Sequence, residues 1–570
     1  MKQDSNFQSQ NLNVKYSAFR MRNCVISFLS VFFSIMIFGC NPPETNITES
    51  IRINSLGFLP NAPKQASIIE NVEQFNIRDA KNNKIVFKGK IGESASQEDL
   101  DQQVWIADFS KITQSGIYYL EIPKIGRSID FPIGNQVYNN AYVASMRAFY
   151  LWRCGMAVSG DHNENHYHQD VCHLQDAYED YVGKPGQQRD GTGGWHDAGD
   201  YGKYVVNAGI TVGILFYAWE HFQPALEKVS LSLPETSPEF PEFLKEIKWE
   251  IDWLLKMQYS DGSGRVSHKL TRTNFSGFIM ANEDDGKRYF TEWSSAATAD
   301  FVAMMAQAAR IFKPYDQEYA QKCLDAAILS YNFLSDNPNQ KRFVQGDFKT
   351  GGYQTGDDDD RLWAAAEMWE TTGDVKYLAS FEEQAIQNKF NVDENWDWGN
   401  VNNMAMFTYI LSKRAGKDAV VEKNIKENII KTADLIVSKA QNDVYRRPLS
   451  GLYYWGCNGG VARQVVNLYV ANHLSENNKY TETALDAIGH IFGRNYYNRS
   501  YITGIGHNPP MHPHDRRSGA DGIEAPWPGY IVGGGLKATD WIDEQDSYSH
   551  NEVAINWQAP LVFALAWFIN

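Results

Sequence analysis

Basic charge is what this sequence has least of for its size: 53 Lys+Arg stand against 69 Asp+Glu, a formal net charge of -16. Nucleic-acid affinity rests on cationic side chains that neutralise phosphates. With that surface missing, nucleic acid is not an expected partner. Long apolar runs are scarce as well. The pronounced one, VISFLSVFFSIMIF at residues 25–38, is too short to span a bilayer comfortably as a mature helix. No fixed sequence period of the solenoid kind is present. Global disorder and a multispanning membrane protein are excluded by what is there: 43% hydrophobic and 21% charged residues in a chain of 570, enough for a large core. Aromatics reach 13%, with 16 Trp. Many must be core, and the same supply suits a cleft that offers flat apolar faces to sugar rings.

The run at 25–38 follows Met21-Arg22, a plausible start, and has the length of a signal-peptide core. It ends in Ile37-Phe38-Gly39-Cys40, which resembles a bacterial lipoprotein signal. Residues 1–40 are therefore read as an N-terminal extension and signal, with Cys40 as the lipidated membrane anchor and the cell envelope as the location. Residues 41–50, NPPETNITES, have the composition of a tether. Residues 51–136 carry seven short β-rich runs, from IRINSLGF to SIDFPIG, the pattern of an immunoglobulin-like β-sandwich without the paired cysteines of an antibody domain. From 137 to 570 the texture changes to about twelve helical segments; Phe301, Met305 and Ala308, for instance, recur at helical spacing. Helices joined by alternately short and long loops predict an (α/α)6 barrel, a mainly α architecture whose long loops gather at one end as a cleft. The last helix is predicted to open with Pro560 in its first turn.

Three segments carry chemistry. Residues 193–204, GGWHDAGDYGKY, put Asp197 and Asp200 three residues apart just ahead of a helix. That places two carboxylates within reach of one water where the helix dipole favours the ionised form, as a general base requires. An Asp ahead of a helix equally serves as an N-cap. Residues 541–552, WIDEQDSYSHNE, end in Glu552, which among Tyr548, Val553 and Trp557 could keep a proton to donate. Residues 500–516, SYITGIGHNPPMHPHDR, form a histidine-rich loop ending in Arg516, a residue able to grip sugar hydroxyls; a proline-stiffened surface loop would look similar.

Taken in this order, the three segments resemble the motifs of glycoside hydrolase family 9, a cellulase family with an (α/α)6 barrel, and IRINSLGFLPNAPKQASI resembles its N-terminal immunoglobulin-like module. The resemblance implies inverting hydrolysis of β-1,4-glucosidic bonds in cellulose-like, mixed or decorated glucans. It makes Glu552 the general acid, Asp200 the base, Asp197 a holder of the water, and His514, Arg516 and Tyr548 sugar contacts. One departure stands out: Gln558 precedes Ala559 where the family has Asn, downstream of the acid at a position suited to packing.

Cys154, Cys172, His173 and His196 form a further constellation, compatible by residue type with a closed zinc site and, by pairing of Cys154 with Cys172, with a disulfide. The family resemblance favours structural zinc. The run Thr355-Gly356-Asp357-Asp358-Asp359-Asp360 reads as a solvated acidic loop or a calcium site. Resemblance points to Thr355, Gly356, Asp359, Asp360 and Asn400 as calcium ligands. No organic cofactor is implied, and a monomer is expected. Trp195, Trp396, Trp398, Tyr454, Trp455 and Trp527 are candidate stacking platforms. Rival readings are an exo-acting glucosidase or glucosaminidase of the same family, a glycan-binding surface lipoprotein without activity, and a zinc hydrolase using His196. The last is disfavoured because four protein ligands leave no open position for water.

Overall fold

The computed structural model describes residues 46–92, 94–235 and 240–569. Cys40 and the proposed signal lie outside these residues. The chain begins with nine short strands: β1 (Ile51–Arg52), β2 (Gln65–Ile68), β3 (Gln74–Asp79), β4 (Ile85–Lys90), β5 (Ser94–Gln97), β6 (Gln102–Asp108), β7 (Gly116–Ile122), β8 (Gly126–Arg127) and β9 (Phe131–Ile133). They form two antiparallel sheets, β1-β2-β6-β5 and β4-β3-β7-β8, with β9 also on β7. Alternation puts Phe75 and Ile77 of β3 inside with Ile68 and Leu120. Phe58, Phe109 and Phe131 close one end, with ring centroids 5.2 to 5.5 Å apart. Strands β5 and β8 are polar and lack the alternation that marks the other strands. Residues 46–50, read from composition as tether, belong to the sandwich. The Thr48 N–H donates to the Arg127 carbonyl (2.9 Å) and Ser50 accepts from Ile69 (3.1 Å), pairing that uses backbone alone.

The remainder is helical: α1 (Asn139–Leu151), α2 (Val205–Leu226), α3 (Glu242–Met257), α4 (Ser295–Phe312), α5 (Gln317–Asp336), α6 (Asp358–Thr372), α7 (Val375–Gln387), α8 (Asn402–Leu411), α9 (Ala419–Asn442), α10 (Cys457–Leu474), α11 (Asn478–Ile491), the single turn α12 (Tyr548–Asn551) and α13 (Ile555–Ala566). Helices α2, α4, α6, α8, α10 and α13 form the inner ring. Every residue of α2 from Val205 to Trp219, and all of α13, is buried. Helices apolar all round belong in a core. The ring closes between α8 and α10 through a hydrogen bond from Asn403 to Asn467 (2.9 Å). Outer helices α5, α7, α9 and α11 start at the side-chain caps Asp316, Asp374, Asp418 and Asn477. Among the described residues no helix is long and apolar enough to cross a membrane.

Pro560 does not open the last helix. Helix α13 starts at Ile555, whose N–H donates to the Asp197 carbonyl (2.9 Å), and Pro560 lies inside it. The sequence rule favouring Pro in a first turn is overridden by this anchor to the loop ahead of α2. The long connections, 152–204, 258–294, 337–357, 388–401, 443–456 and 492–554, all lead into inner helices. They therefore gather at the end where six helix N-termini point, a site that favours carboxylates. Two of them pair as strands: β12 (Lys203–Tyr204), β13 (Lys269–Thr271) and β14 (Tyr289–Phe290) follow one another across a small sheet, with Tyr204 opposite Lys269; the hairpin β10 (Val158–His162) and β11 (Asn165–Gln169) lies earlier in the chain.

Candidate active site

The segment 193–204 is held from several sides. Gly194 takes a positive φ of 74°, and a Cβ there would sit 2.7 Å from the Trp253 ring, so the turn admits glycine alone. The Trp195 N–H donates to Glu250 (2.6 Å) and its indole to Glu246 (2.9 Å). Lys203, fully buried, donates to the carbonyls of Gly191 and Gly193 (2.8 Å each) and pairs with Asp176 (3.1 Å). Neither aspartate caps α2, whose N-cap is Tyr204 with no side-chain bond.

Asp197 is buried with both oxygens occupied: Asn207 donates to Oδ1 (2.7 Å) and the Tyr353 hydroxyl to Oδ2 (2.6 Å). Burial, and next the charge of Asp200, push its carboxyl up to about 8, against those two hydrogen bonds. Asp200 accepts on Oδ2 from the Gly202 N–H and the Tyr204 hydroxyl (3.0 Å each). Its Oδ1 has no hydrogen bond among the described residues and is the oxygen left to meet water.

Glu552 follows α12 and is bridged in parallel to His514. The Gly533 N–H donates to its carbonyl (2.8 Å), and His514 N–H donates to the Asn551 carbonyl (2.8 Å), so acid loop and histidine loop fold as one piece. Burial lifts the Glu552 carboxyl well above the usual range; Asp200 and Asp197 add to this, while Arg516 and the Gly199 N–H oppose it. The two aspartates and Glu552 thus share one electrostatic neighbourhood. A Cβ on Gly199 would lie 2.0 Å from the His514 carbonyl, so the loops meet only because this residue has no side chain.

His514 binds the Gln545 carbonyl through Nδ1 (2.7 Å), and its ring packs against Phe278 (5.3 Å) and Tyr548 (6.0 Å). Tyr548 is 53% exposed and faces Trp455, itself 47% exposed, at 5.4 Å. Arg516 is buried. Its Nε and Nη1 donate to the backbone carbonyls of Ser276 (3.2 Å) and Gly199 (2.6 Å), and its guanidinium lies over Phe275 and Phe278. One of these bonds fastens the loop carrying Asp200 and the other holds the loop carrying Phe275 and Phe278. Of the candidate platforms, Trp195, Trp396 and Trp527 are buried core residues, Trp398 and Tyr454 are half-buried, and Trp455 is open. Exposed Phe275 and Phe278 went unnoticed in the sequence because the 258–294 loop matches none of the three motifs; Tyr204 and Asn207 lie close behind Asp200 in the chain without being singled out there, and Tyr353 reaches Asp197 from a separate segment. Beyond Asn207, hydrogen bonds run through Asn556 (3.4 Å) and Asp397 (3.0 Å) to Arg463 (3.0 Å). Gln558 is buried and satisfied: its oxygen accepts from Ile531 (3.0 Å) and its amide donates to Ser145 and Gly529 (2.8 Å each).

Beneath this loop, one ligand atom from each of Cys154, Cys172, His173 and His196 lies within 4.8 Å of the others, a group that could hold a metal ion. Both cysteines are free and buried, so the disulfide alternative is not the state described. His173 turns its remaining nitrogen to Asp284 (3.4 Å), the usual outer-shell support of a ligating imidazole. Nδ1 of His196 is buried without a partner. In the acidic loop, the Thr355 hydroxyl donates to the Gly399 carbonyl (3.2 Å) and Asp359 accepts from the Val401 N–H (2.6 Å), bringing both beside Asn400. Asp360 is fully buried, its carboxyl set against that of Asp300 and raised in proton affinity by burial and next by the charge of Asp300.

The sequence profile described as Glycosyl hydrolase family 9 matches residues 138–565, and the Cellulase N-terminal ig-like domain matches 46–127. The chain is 54% identical to Endoglucanase D of Acetivibrio thermocellus over 566 residues, 96% of this chain and 87% of that one. It is 31% identical to the xyloglucan-specific endo-beta-1,4-glucanase of Bacteroides ovatus over 94% of this chain and 97% of that one. Among solved structures, a Zn-binding triple mutant of the family 9 endoglucanase J30 superimposes with a TM-score of 0.84 at 32% identity, covering 90% of this chain and 99% of that one. The motif order, the barrel and these matches agree: the chain belongs to glycosyl hydrolase family 9.

Proposed function

We propose that this protein is an endo-β-1,4-glucanase that cleaves internal bonds of cellulose-like glucans with inversion, using Glu552 as acid and Asp200 as base. The carrying observation is the arrangement of three carboxyls: Glu552 and Asp197, both buried and raised in proton affinity, share the neighbourhood of Asp200, which keeps a free oxygen. Protonated Glu552 gives its proton to the glycosidic oxygen as that bond breaks, while Oδ1 of Asp200 takes a proton from the water that attacks the anomeric carbon from the opposite face. Asp197, held on both oxygens, fixes the water. Trp455, Tyr548 and His514 offer flat faces to glucose units, and Arg516 holds the Asp200 loop to the acid side. The name of the relative at 54% identity supports internal cleavage of β-glucan.

Zinc fits the Cys154, Cys172, His173 and His196 cluster by donor chemistry and by the Asp284 support. With four protein ligands it would brace the loop that carries Asp197 and Asp200. Calcium at Thr355, Gly356, Asp359, Asp360 and Asn400 would tie the start of α6 to the start of α8; the crowding of buried Asp360 by the carboxyls of Asp300 and Asp359 supports a cation there. Residues 1–40 are proposed to direct export and anchoring through lipidated Cys40, placing a monomeric enzyme in the cell envelope.

The test is product analysis on cellulose, mixed-linkage glucan and xyloglucan, with the first-formed anomer followed by NMR. Random internal scission giving the α-anomer first is expected. Early release of glucose alone would replace the endo assignment, and a β-anomer would sink inversion.

A further inference from the structure

Lys269 is the buried cation that the reaction as described does not use. It stands directly opposite Tyr204 across the β12–β13 ladder and is fully buried. Its ammonium donates to the Gln345 side-chain oxygen (2.8 Å), the Thr350 hydroxyl (3.1 Å) and the Gly351 carbonyl (2.7 Å), all uncharged. The rings of Tyr204, Phe343 and Phe348 surround it at 5.6, 5.2 and 5.0 Å. Leaving an ammonium in such a cage without a carboxylate in contact is costly. Burial accordingly draws its proton affinity down to about 7, and among the described residues the carboxylate that acts against this is Asp200.

The connection is structural as well as electrostatic. Gly351 is bonded through both of its backbone groups: its carbonyl accepts from Lys269 and its N–H donates to the Tyr204 hydroxyl (3.1 Å). That hydroxyl donates in turn to Oδ2 of Asp200 (3.0 Å). Other charges in the neighbourhood do not replace Lys269. Arg272, just after β13, pairs with Asp284. Lys203 pairs with Asp176, and Arg516 bonds Ser276 and Gly199. Lys341 pairs with Glu292 (2.9 Å), while His268, next to Lys269, is held neutral by burial. His514 is likewise pulled towards its neutral form by burial. On the negative side, Asp197 and Glu552 face the same space, and Tyr353 is engaged by Asp197.

We propose that Lys269 is a positioning residue for the base: through Gly351 and Tyr204 it presents a buried positive charge that keeps Asp200 a carboxylate with Oδ1 turned to the water. The inference rests on Asp200 being the base. Removing the ammonium takes the positive charge out of this network and leaves the Gly351 carbonyl and the Tyr204 ring without it.

The experiment is kcat/KM against pH on cellotetraose for the full chain and for Lys269→Met. The acid limb is expected to move up by about one pH unit or more, with KM little changed. A lower kcat with both limbs in place would make Lys269 only a strut for the 345–351 loop and would overturn the proposal. Should Lys269→Met not fold, Lys269→Gln keeps a donor for the Gly351 carbonyl without the charge; the same upward shift is expected, and an unmoved limb overturns the idea equally. An inactive wild type would sink the hydrolase assignment itself. The charge effect would then be read by carbodiimide labelling of the Asp200 peptide, which must persist to higher pH in Lys269→Met than in the parent.

Discussion

The two sides of the reaction centre are built differently. The side of the proposed base is tightly held: Asp197 has both oxygens bonded, Lys203 ties the preceding glycines, Trp195 is anchored to Glu246 and Glu250, and a cluster that could hold a metal ion lies next to it. The acid side opens onto exposed Tyr548, Trp455, Phe275 and Phe278. A water molecule must be placed to a fraction of an ångström, which demands rigid support on one side. A polymer must slide in and depart, which calls for flat surfaces on the other. Mutations on the base side should therefore change kcat and stability together, and those on the aromatic rim should change KM alone.

The sharpest break in this comparison is Glu552→Gln, which keeps shape while removing the proton. Turnover on unactivated glucan is expected to fall about 1000-fold or more, with an intact far-UV spectrum. A stability effect of opposite sign should accompany it. The folded-state proton affinity of Glu552 is raised, so its contribution to stability is full below the ordinary carboxylate range and is lost as pH rises through the elevated value. At neutral pH the variant should thus melt higher than the parent, and this advantage should vanish near pH 4. Equal melting at both pH values would mean that Glu552 is better solvated than the fold implies.

Second comes the metal cluster. Cys172→Ser, or exhaustive chelation, is expected to lower Tm by about 5–10 °C and to reduce kcat while leaving KM unchanged, because a metal there would brace the loop that carries the proposed base. Metal analysis of the purified chain should find one zinc per molecule. Loss of activity with an unaltered Tm would contradict a brace. On the opposite side, Trp455→Ala should raise KM about 3- to 10-fold with kcat preserved, the signature of a lost sugar platform. A fall in kcat instead would mean that the rim also orders Glu552, erasing the contrast drawn above.

Legibility in the sequence follows the same division. Long helices were readable because burial on one face, or all round, writes itself as apolar periodicity, and the three motifs carried their own order. What could not be read depends on contacts between distant segments. Tyr353 reaches Asp197 from 156 positions away, Lys269 meets Gly351 from 82 positions away, and nothing local marks either of them. Tryptophan type alone does not distinguish a platform from core, so buried Trp195, Trp396 and Trp527 stood beside open Trp455 as equal candidates. Pro560 misled because the local preference for a first turn was outweighed by the bond that starts α13 at Ile555. The polar strands β5 and β8 are held by backbone pairing that leaves no pattern.

The smallest expected effect belongs to Gln558, where the chain departs from its family. Its side chain makes three buried hydrogen bonds, joining α1 at Ser145 to the 529–531 segment from a position on α13. Asn is shorter by one methylene and cannot reach all three partners from the same backbone position, so Gln558→Asn leaves at least one buried polar group unpaired. That costs about 1–3 kcal/mol, a drop in Tm of a few degrees by thermal melting. Catalysis should be unaffected within about twofold, since the bonds face α1 and the 529–531 segment and none involves Asp197, Asp200 or Glu552. A variant with parental Tm and impaired kcat would show that α13, which also bonds Asp197 through Ile555, transmits its packing into the base loop. The rigid side of the site would then extend through the inner ring as far as the Gln558 contacts.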